Sequence, residues 1–275
     1  MASRAVNCTP EQIIITCGFS ESMGLLAKLI KNKYSHFAIE NPGYHVARRV
    51  FDEYGYKIEK IPVDSKGLKL EAFKKSKSKI VYITPSHQYP TGVSMPINHR
   101  LKLLKYVQSI DGIIVEDDYD SELSYYNRPI PSLQGLDSHD RVAYMGTFAK
   151  SLSSALRVSY MVLPKHLMAP YKETYNAHFP SVSLTTQKTL AFFMSEGHWD
   201  RHIRKIRMLN KRKHNLMRDA LKEKLGSSMQ IVSQGGGLAI LIQSTVAFDW
   251  DILKVLAEES NIKIYLAKER SGGGV

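Results

Sequence analysis

The stretch Arg141 to Pro164, R-V-A-Y-M-G-T-F-A-K-S-L-S-S-A-L-R-V-S-Y-M-V-L-P, decides how the chain is read. Val142 to Phe148 is a short apolar run rich in β-branched and aromatic residues, which predicts a buried strand. Lys150 stands just past its end, a Ser-rich turn and Arg157 follow, and a second apolar run covers Ser159 to Leu163. A lysine at a strand end is either a cap pointing into water or a reactive amine. Its pKa falls readily on desolvation, which suits it to forming Schiff bases. Thr147 and Arg157 flank it and suit an anion, most simply a phosphate.

Working outward, further apolar runs fall at 13–16, 36–40, 57–63, 79–84 and 112–115. With 142–148 and 159–163 they make seven, alternating with helical segments up to Pro164. That alternation predicts an α/β domain with a mostly parallel seven-stranded sheet covered on both faces. Beyond Pro164 the pattern is helical over 185–195 and 198–225. Gly235-Gly236-Gly237 then leads into an expected strand at 238–242, a helix at 250–259 and a strand at 262–266. The expected division is 1–180 for the large α/β domain, 181–227 for connecting helices and 228–275 for a small α+β lobe that reads as incomplete.

Bulk properties set the bounds. The 275 residues carry a formal charge of +12 with 43% apolar and 23% charged residues, ordinary for a globular protein apart from the charge. Cys8 and Cys17 form neither a disulfide framework nor a metal-ligand pattern, which points to a reducing, cytoplasmic setting. Neither a signal core nor a membrane-length apolar run is present in the sequence.

Several strand ends carry polar groups. After 13–16 come Cys17-Gly18-Phe19-Ser20, either a sharp βα turn or a phosphate cradle at a helix N-terminus. After 36–40 comes Asn41-Pro42-Gly43-Tyr44, whose aromatic is a packing residue or a lid over a flat ligand. After 79–84 comes Pro85-Ser86-His87-Gln88-Tyr89-Pro90-Thr91-Gly92, at the end of a strand where α/β proteins bind ligands. After 112–115 comes Glu116-Asp117-Asp118-Tyr119-Asp120. These acids are a metal site, an acidic surface loop, or one buried carboxylate meeting a protonated ring nitrogen with its neighbours turned outward. Residues 201–213 carry Arg201, Arg204, Lys205, Arg207, Lys211, Arg212 and Lys213 on a helix whose expected core face is Ile203, Ile206, Leu209, Leu216 and Leu221. That basic surface is a solvated face or a nucleic-acid contact.

Taken together, an amine, a carboxylate, an anion site and an aromatic at one sheet edge are the partners that pyridoxal 5'-phosphate requires. The segments P-E-Q-I-I-I-T-C-G, E-N-P-G-Y, T-P-S-H-Q-Y-P-T-G, V-E-D-D-Y-D-S-E and G-T-F-A-K-S-L-S-S-A-L-R resemble fold-type-I aminotransferases. More specifically, the chain is similar to the aminotransferase-like domain of MocR/GabR-type regulators of the GntR family. The resemblance covers nearly the whole chain. It implies that Lys150 forms the Schiff base, Asp117 pairs with the pyridinium nitrogen, Tyr119 bonds the ring oxygen and Tyr44 stacks on the ring. It assigns the phosphate to Gly18, Phe19 and Ser20 with Thr147 and Arg157. Where aminotransferases have an Asn before the Pro-Thr-Gly this chain has Tyr89, so His87 or Gln88 is the expected substitute.

The family's arginine for the substrate carboxylate, its N-terminal arm and its winged helix are expected outside this sequence. DNA contact is therefore expected only through a winged-helix domain that this chain does not carry. The expected function is an effector-sensing domain: an amino acid or amine is bound through the cofactor held on Lys150, with a homodimer as the working form and no metal. The alternative implied by the same residues is an active aminotransferase passing an amino group between an amino acid and a 2-oxo acid.

Overall fold

The computed structural model describes residues 5–125, 130–175, 180–232, 237–247 and 249–265. Ten strands and nine α-helices fall within them. They begin with β1 (Ile13–Thr16), α1 (Phe19–Ile30), β2 (His36–Asn41), α2 (His45–Glu53), β3 (Lys57–Asp64), β4 (Gly67–Leu68) and α3 (Leu70–Lys74). Next come β5 (Ile80–Ile83), α4 (Ile97–Ser109), β6 (Ile113–Asp118), α5 (Leu133–Leu136), β7 (Val142–Thr147) and β8 (Ser159–Val162). The last are α6 (Met168–Tyr175), α7 (Leu184–Ser195), α8 (His198–Leu225), β9 (Met229–Ile231), β10 (Ile242–Ser244) and α9 (Trp250–Glu259).

The seven apolar runs all become strands of one sheet. A two-residue hairpin partner, β4, makes it eight, in the order β1-β8-β7-β6-β5-β2-β3-β4. Strands β3, β2, β5, β6 and β7 run parallel, while β8 lies antiparallel between β7 and β1. Since β8 reverses direction against both neighbours, β1 runs the same way as β7. The ends of β1, β2, β5, β6 and β7 and the start of β8 therefore share one edge of the sheet. The chain crosses from one side of β2 to the other between β3 and β5, so that edge includes a switch point, where open α/β sheets form a crevice.

Strand alternation divides the core into two layers. Tyr82, Val115, Met145 and Met161 face α1 and α2 with Met23, Leu26, Phe37 and Phe51. Val81, Ile83, Ile114 and Val142 face the other way, toward Leu103, Val107 and Leu133. Burial on both faces explains why these strands read as continuous apolar runs.

Three expectations change in the second half of the chain. The strand expected at 238–242 starts only at Ile242, and upstream of it the Gly237 N–H donates to the Leu123 carbonyl at 3.0 Å. Its partner is β9, a strand the apolar pattern does not signal. Residues 262–265 are irregular, and Leu266 lies outside the described residues, as do Gly235 and Gly236. On α8, Ile203 is buried, but Leu209 and Leu216 are exposed. The face that packs runs instead through Trp199, His202, Ile203, Ile206, Arg207 and His214, where polar residues interrupt the apolar signal.

Candidate functional site

The turn after β1 is built around Gly18, which has φ +90° and precedes the first residue of α1. A β-carbon there would lie 2.4 Å from Nη2 of Arg157, so the guanidinium occupies the space that a side chain would fill. The Thr16 and Ser22 hydroxyls, 2.6 Å apart, close the turn behind it. Phe19 is half-buried and Ser20 exposed. Glu21 reaches back to accept from the Cys17 N–H, a local acidic contact at this helix start. Arg157 itself is exposed and adopts a left-handed backbone (φ 52°) just before β8.

Across β8, the β7 end presents Thr147, whose hydroxyl accepts from Ser159 Oγ at 3.0 Å and from the Ala149 N–H at 3.1 Å. Lys150 follows on a single turn closed by the Leu152 N–H donating to the Phe148 carbonyl at 2.8 Å, and its side chain is exposed. Exposure leaves the amine accessible from solvent.

The β6 end differs from expectation. Glu116, Asp117, Asp118 and Asp120 are all buried, at 0%, 5%, 3% and 5% exposure, so the neighbours of Asp117 are not turned outward. Each has its own partner. Glu116 accepts from the Leu133 and Gln134 N–H groups at 2.9 Å and lies 3.7 Å from the buried Arg100 guanidinium. Asp118 accepts from the Tyr144 hydroxyl at 2.7 Å, and Asp120 meets Nδ1 of His87 at 2.9 Å. Asp117 accepts from the Tyr82 hydroxyl at 2.5 Å. Burial pushes the Asp117 carboxyl up to about 7, against the lowering effect of that hydrogen bond, with Asp118, Asp120 and Glu40 adding to the rise. Among the described residues no group of acids, histidines and cysteines is arranged to hold a metal ion.

The Pro85–Gly92 loop is organised by a buried carboxylate that the sequence pattern does not single out. Glu40 Oε2, at the end of β2, accepts from the Thr84 N–H at 3.1 Å, the Thr84 hydroxyl at 2.8 Å and the Gln88 amide at 3.3 Å. Burial raises the Glu40 carboxyl to about 7. Gln88 also donates to the Pro42 carbonyl at 2.9 Å, tying this loop to the turn that carries Tyr44. Gln88 is thus spent on the loop, and the His87 imidazole on Asp120. Burial opposes protonation of His87, but the Asp120 hydrogen bond and the charges of Asp120 and Asp118 leave its pKa raised. The His87 carbonyl accepts from the Tyr119 hydroxyl at 3.1 Å.

Aromatic rings follow one another from the buried Tyr82 outward along this sheet edge. Phe19 meets Tyr82 at 6.1 Å and Tyr44 at 5.4 Å, Tyr44 meets Tyr89 at 5.6 Å, and Tyr89 meets Tyr119 at 6.4 Å. Burial, with the charges of Asp117 and Tyr89, raises the Tyr44 pKa while Arg157 acts the other way, so each of those three residues lies in electrostatic reach of Tyr44. Tyr119 is pushed well above the usual tyrosine value by burial. Every sequence-predicted site residue therefore lies on the same sheet edge. Tyr82, Glu40 and the His87–Asp120 pair are additions. Tyr82 is hidden in an apolar strand, its only sequence signal being a hydroxyl in an otherwise aliphatic run.

The sequence profile of a family described as "Aminotransferase class I and II" matches residues 2–268. An uncharacterized HTH-type transcriptional regulator of Bacillus subtilis (strain 168), YdeL, is 40% identical over 263 residues, covering 96% of this chain and 57% of the relative. The probable rhizopine catabolism regulatory protein MocR of Rhizobium meliloti is 35% identical over 254 residues, covering 92% and 51%. The chain thus spans little more than half the length of these relatives. Among solved structures, kynurenine aminotransferase of Pyrococcus horikoshii, in complex with PMP, KYN as substrates and KYA as products, superposes with a TM-score of 0.82 at 25% identity. That match covers 94% of this chain and 66% of the other.

Proposed function

This chain belongs to the aminotransferase class I and II family, and on that premise we propose that it binds pyridoxal 5'-phosphate and senses an amino acid or amine through it. The observation that carries the proposal is the shared sheet edge along which Lys150, Asp117 and the Gly18–Arg157 cradle all fall. The residues fit the group by their chemistry. A guanidinium set over a glycine at a helix start suits a phosphate, and a buried carboxyl whose one oxygen takes a tyrosine hydroxyl suits a ring N–H.

When bound, the cofactor supplies an aldehyde that condenses with amines and a pyridine ring that draws electrons from the attached carbon. Lys150 offers the amine. Arg157, Thr147 and the backbone N–H groups of Gly18, Phe19 and Ser20 hold the phosphate, while Tyr44 covers the ring. Asp117 holds the ring-nitrogen proton. Its raised pKa does not oppose this, because a cation placed against it favours ionisation. Tyr119 would give its hydroxyl proton to the ring oxygen in place of the His87 carbonyl, which accepts it at 3.1 Å here.

The extent of similarity to HTH-type regulators supports a sensing role in which this domain is joined to a DNA-binding one, and a homodimer as the working form belongs to the same proposal. The second reading, an active aminotransferase, is favoured by the likeness to the kynurenine enzyme. Incubation with pyridoxal phosphate, a panel of amino compounds and a 2-oxo acid separates them. A sensor binds an amine with a spectral change and forms no new amino acid. Repeated turnover to a new amino acid overturns the sensing reading.

A further inference from the structure

The long helix α8 touches the site's lysine turn and the exit of its acidic strand from a single face. In its first turns the Trp199 ring meets Phe148 edge-on at 5.5 Å. His202 Nε2 lies 2.7 Å from the Ser151 carbonyl, and since a carbonyl only accepts, Nε2 carries the proton. Phe148 and Ser151 bracket Lys150. Phe193 of α7 meets the same imidazole edge-on at 6.3 Å. Farther along, Arg207 Nε donates to the Glu122 carbonyl at 2.9 Å and His214 meets the Tyr125 ring at 5.7 Å. Positions 199, 202, 203, 207 and 214 recur at helical spacing on one face, and at 1.5 Å per residue the contacts span about 22 Å.

The Ser151 tie stands out because of what surrounds it. Ser151 is 2% exposed, and its hydroxyl is buried without a hydrogen-bond partner among the described residues. Its own side chain therefore does not anchor the turn there. The carbonyl bond to His202 does, together with the internal Leu152-to-Phe148 bond. An exposed lysine on so short a turn is positioned by whatever fixes its backbone.

We propose that His202 is a positioning residue that holds the Lys150 turn through the Ser151 carbonyl, so that α8 links the state of the lysine to the exit of the acidic strand at Glu122. The consequence for ligand response rests on the proposed cofactor-sensing function; the backbone tie does not. If the turn shifts when an amine takes the place of Lys150 on the cofactor, Trp199 and His202 carry that shift into α8.

The test compares His202→Leu, which removes the N–H donor, with His202→Gln, whose amide offers a donor at similar reach. Hydrogen exchange of residues 149–152 is read without cofactor. It should rise about tenfold in His202→Leu, the scale of one lost hydrogen bond, and stay near wild type in His202→Gln. Borohydride trapping of pyridoxal phosphate on Lys150 is then followed by peptide mass spectrometry. At limiting cofactor its rate should fall about tenfold in the leucine variant and recover in the glutamine variant. Equal exchange in all three proteins overturns the proposal, as does equal loss of trapping in both variants. Failure of the wild type to trap cofactor on Lys150, with the exchange pattern as expected, counts against the cofactor function and leaves the positioning role standing.

Discussion

Removing the Tyr82 hydroxyl is the sharpest perturbation available at this site. Tyr82 is fully buried, its ring packed near Phe37 and Phe19, and its hydroxyl donates to Asp117 Oδ2 at 2.5 Å. Phenylalanine keeps the ring and its packing, so Tyr82→Phe isolates the hydrogen bond. A bond to a charged, buried acceptor contributes about 1.5–3 kcal/mol, which at 1.36 kcal/mol per unit moves the carboxyl by about 1–2 pH units. The bond favours the ionised form, so its loss raises the Asp117 pKa further above its value of about 7. The sign for stability follows. Asp117 titrates near 3.8 unfolded and near 7 folded, so the folded protein holds the proton more tightly between those values. Its contribution to stability is present at low pH and declines as pH rises toward 7. In Tyr82→Phe that decline extends upward by the same 1–2 units. Carbon-13 NMR titration of labelled aspartate, with Asp117 assigned from Asp117→Asn, reads the midpoint directly. A midpoint that is unchanged or lower in Tyr82→Phe refutes the reasoning.

Gly18→Ala places a β-carbon at φ +90° and against Arg157, so it should lower stability by about 1–2 kcal/mol, seen as a melting point several degrees lower, and weaken phosphate binding. Arg157→Gln should reduce affinity for pyridoxal phosphate about 10–100-fold, read by fluorescence titration, and leave affinity for unphosphorylated pyridoxal nearly unchanged. Glu40, at about 7 folded against 4.5 unfolded, likewise withdraws stability as pH rises between those values. Glu40→Gln should flatten the pH dependence of urea unfolding over that range by at most about 3 kcal/mol.

The sheet was legible because strands buried on both faces leave unbroken apolar runs, and all seven of those runs form strands. The site residues were legible because glycine, proline and charge stand out where such runs end. What stayed hidden depends on tertiary contact. Nothing local distinguishes Tyr82 from a packing tyrosine, since its role comes from Asp117 on the neighbouring strand. The acidic run misled for a related reason: Glu116, Asp118 and Asp120 are buried because Arg100, Tyr144 and His87 arrive from distant segments. On α8, the residues that pack are a tryptophan, two histidines and an arginine among the isoleucines, so a purely apolar stripe selected the wrong leucines. The hairpin of β9 and β10 is too short for period-two alternation to register.

The central claim is that Lys150 is the amine that holds pyridoxal phosphate. Its most direct measurement is the absorbance spectrum of the purified chain with saturating cofactor, followed by borohydride reduction and peptide mapping. A protein-linked cofactor band and a single reduced adduct on Lys150 are expected, with both absent in Lys150→Ala while circular dichroism is unchanged. A reduced adduct on another lysine, or one that persists in Lys150→Ala, contradicts that claim.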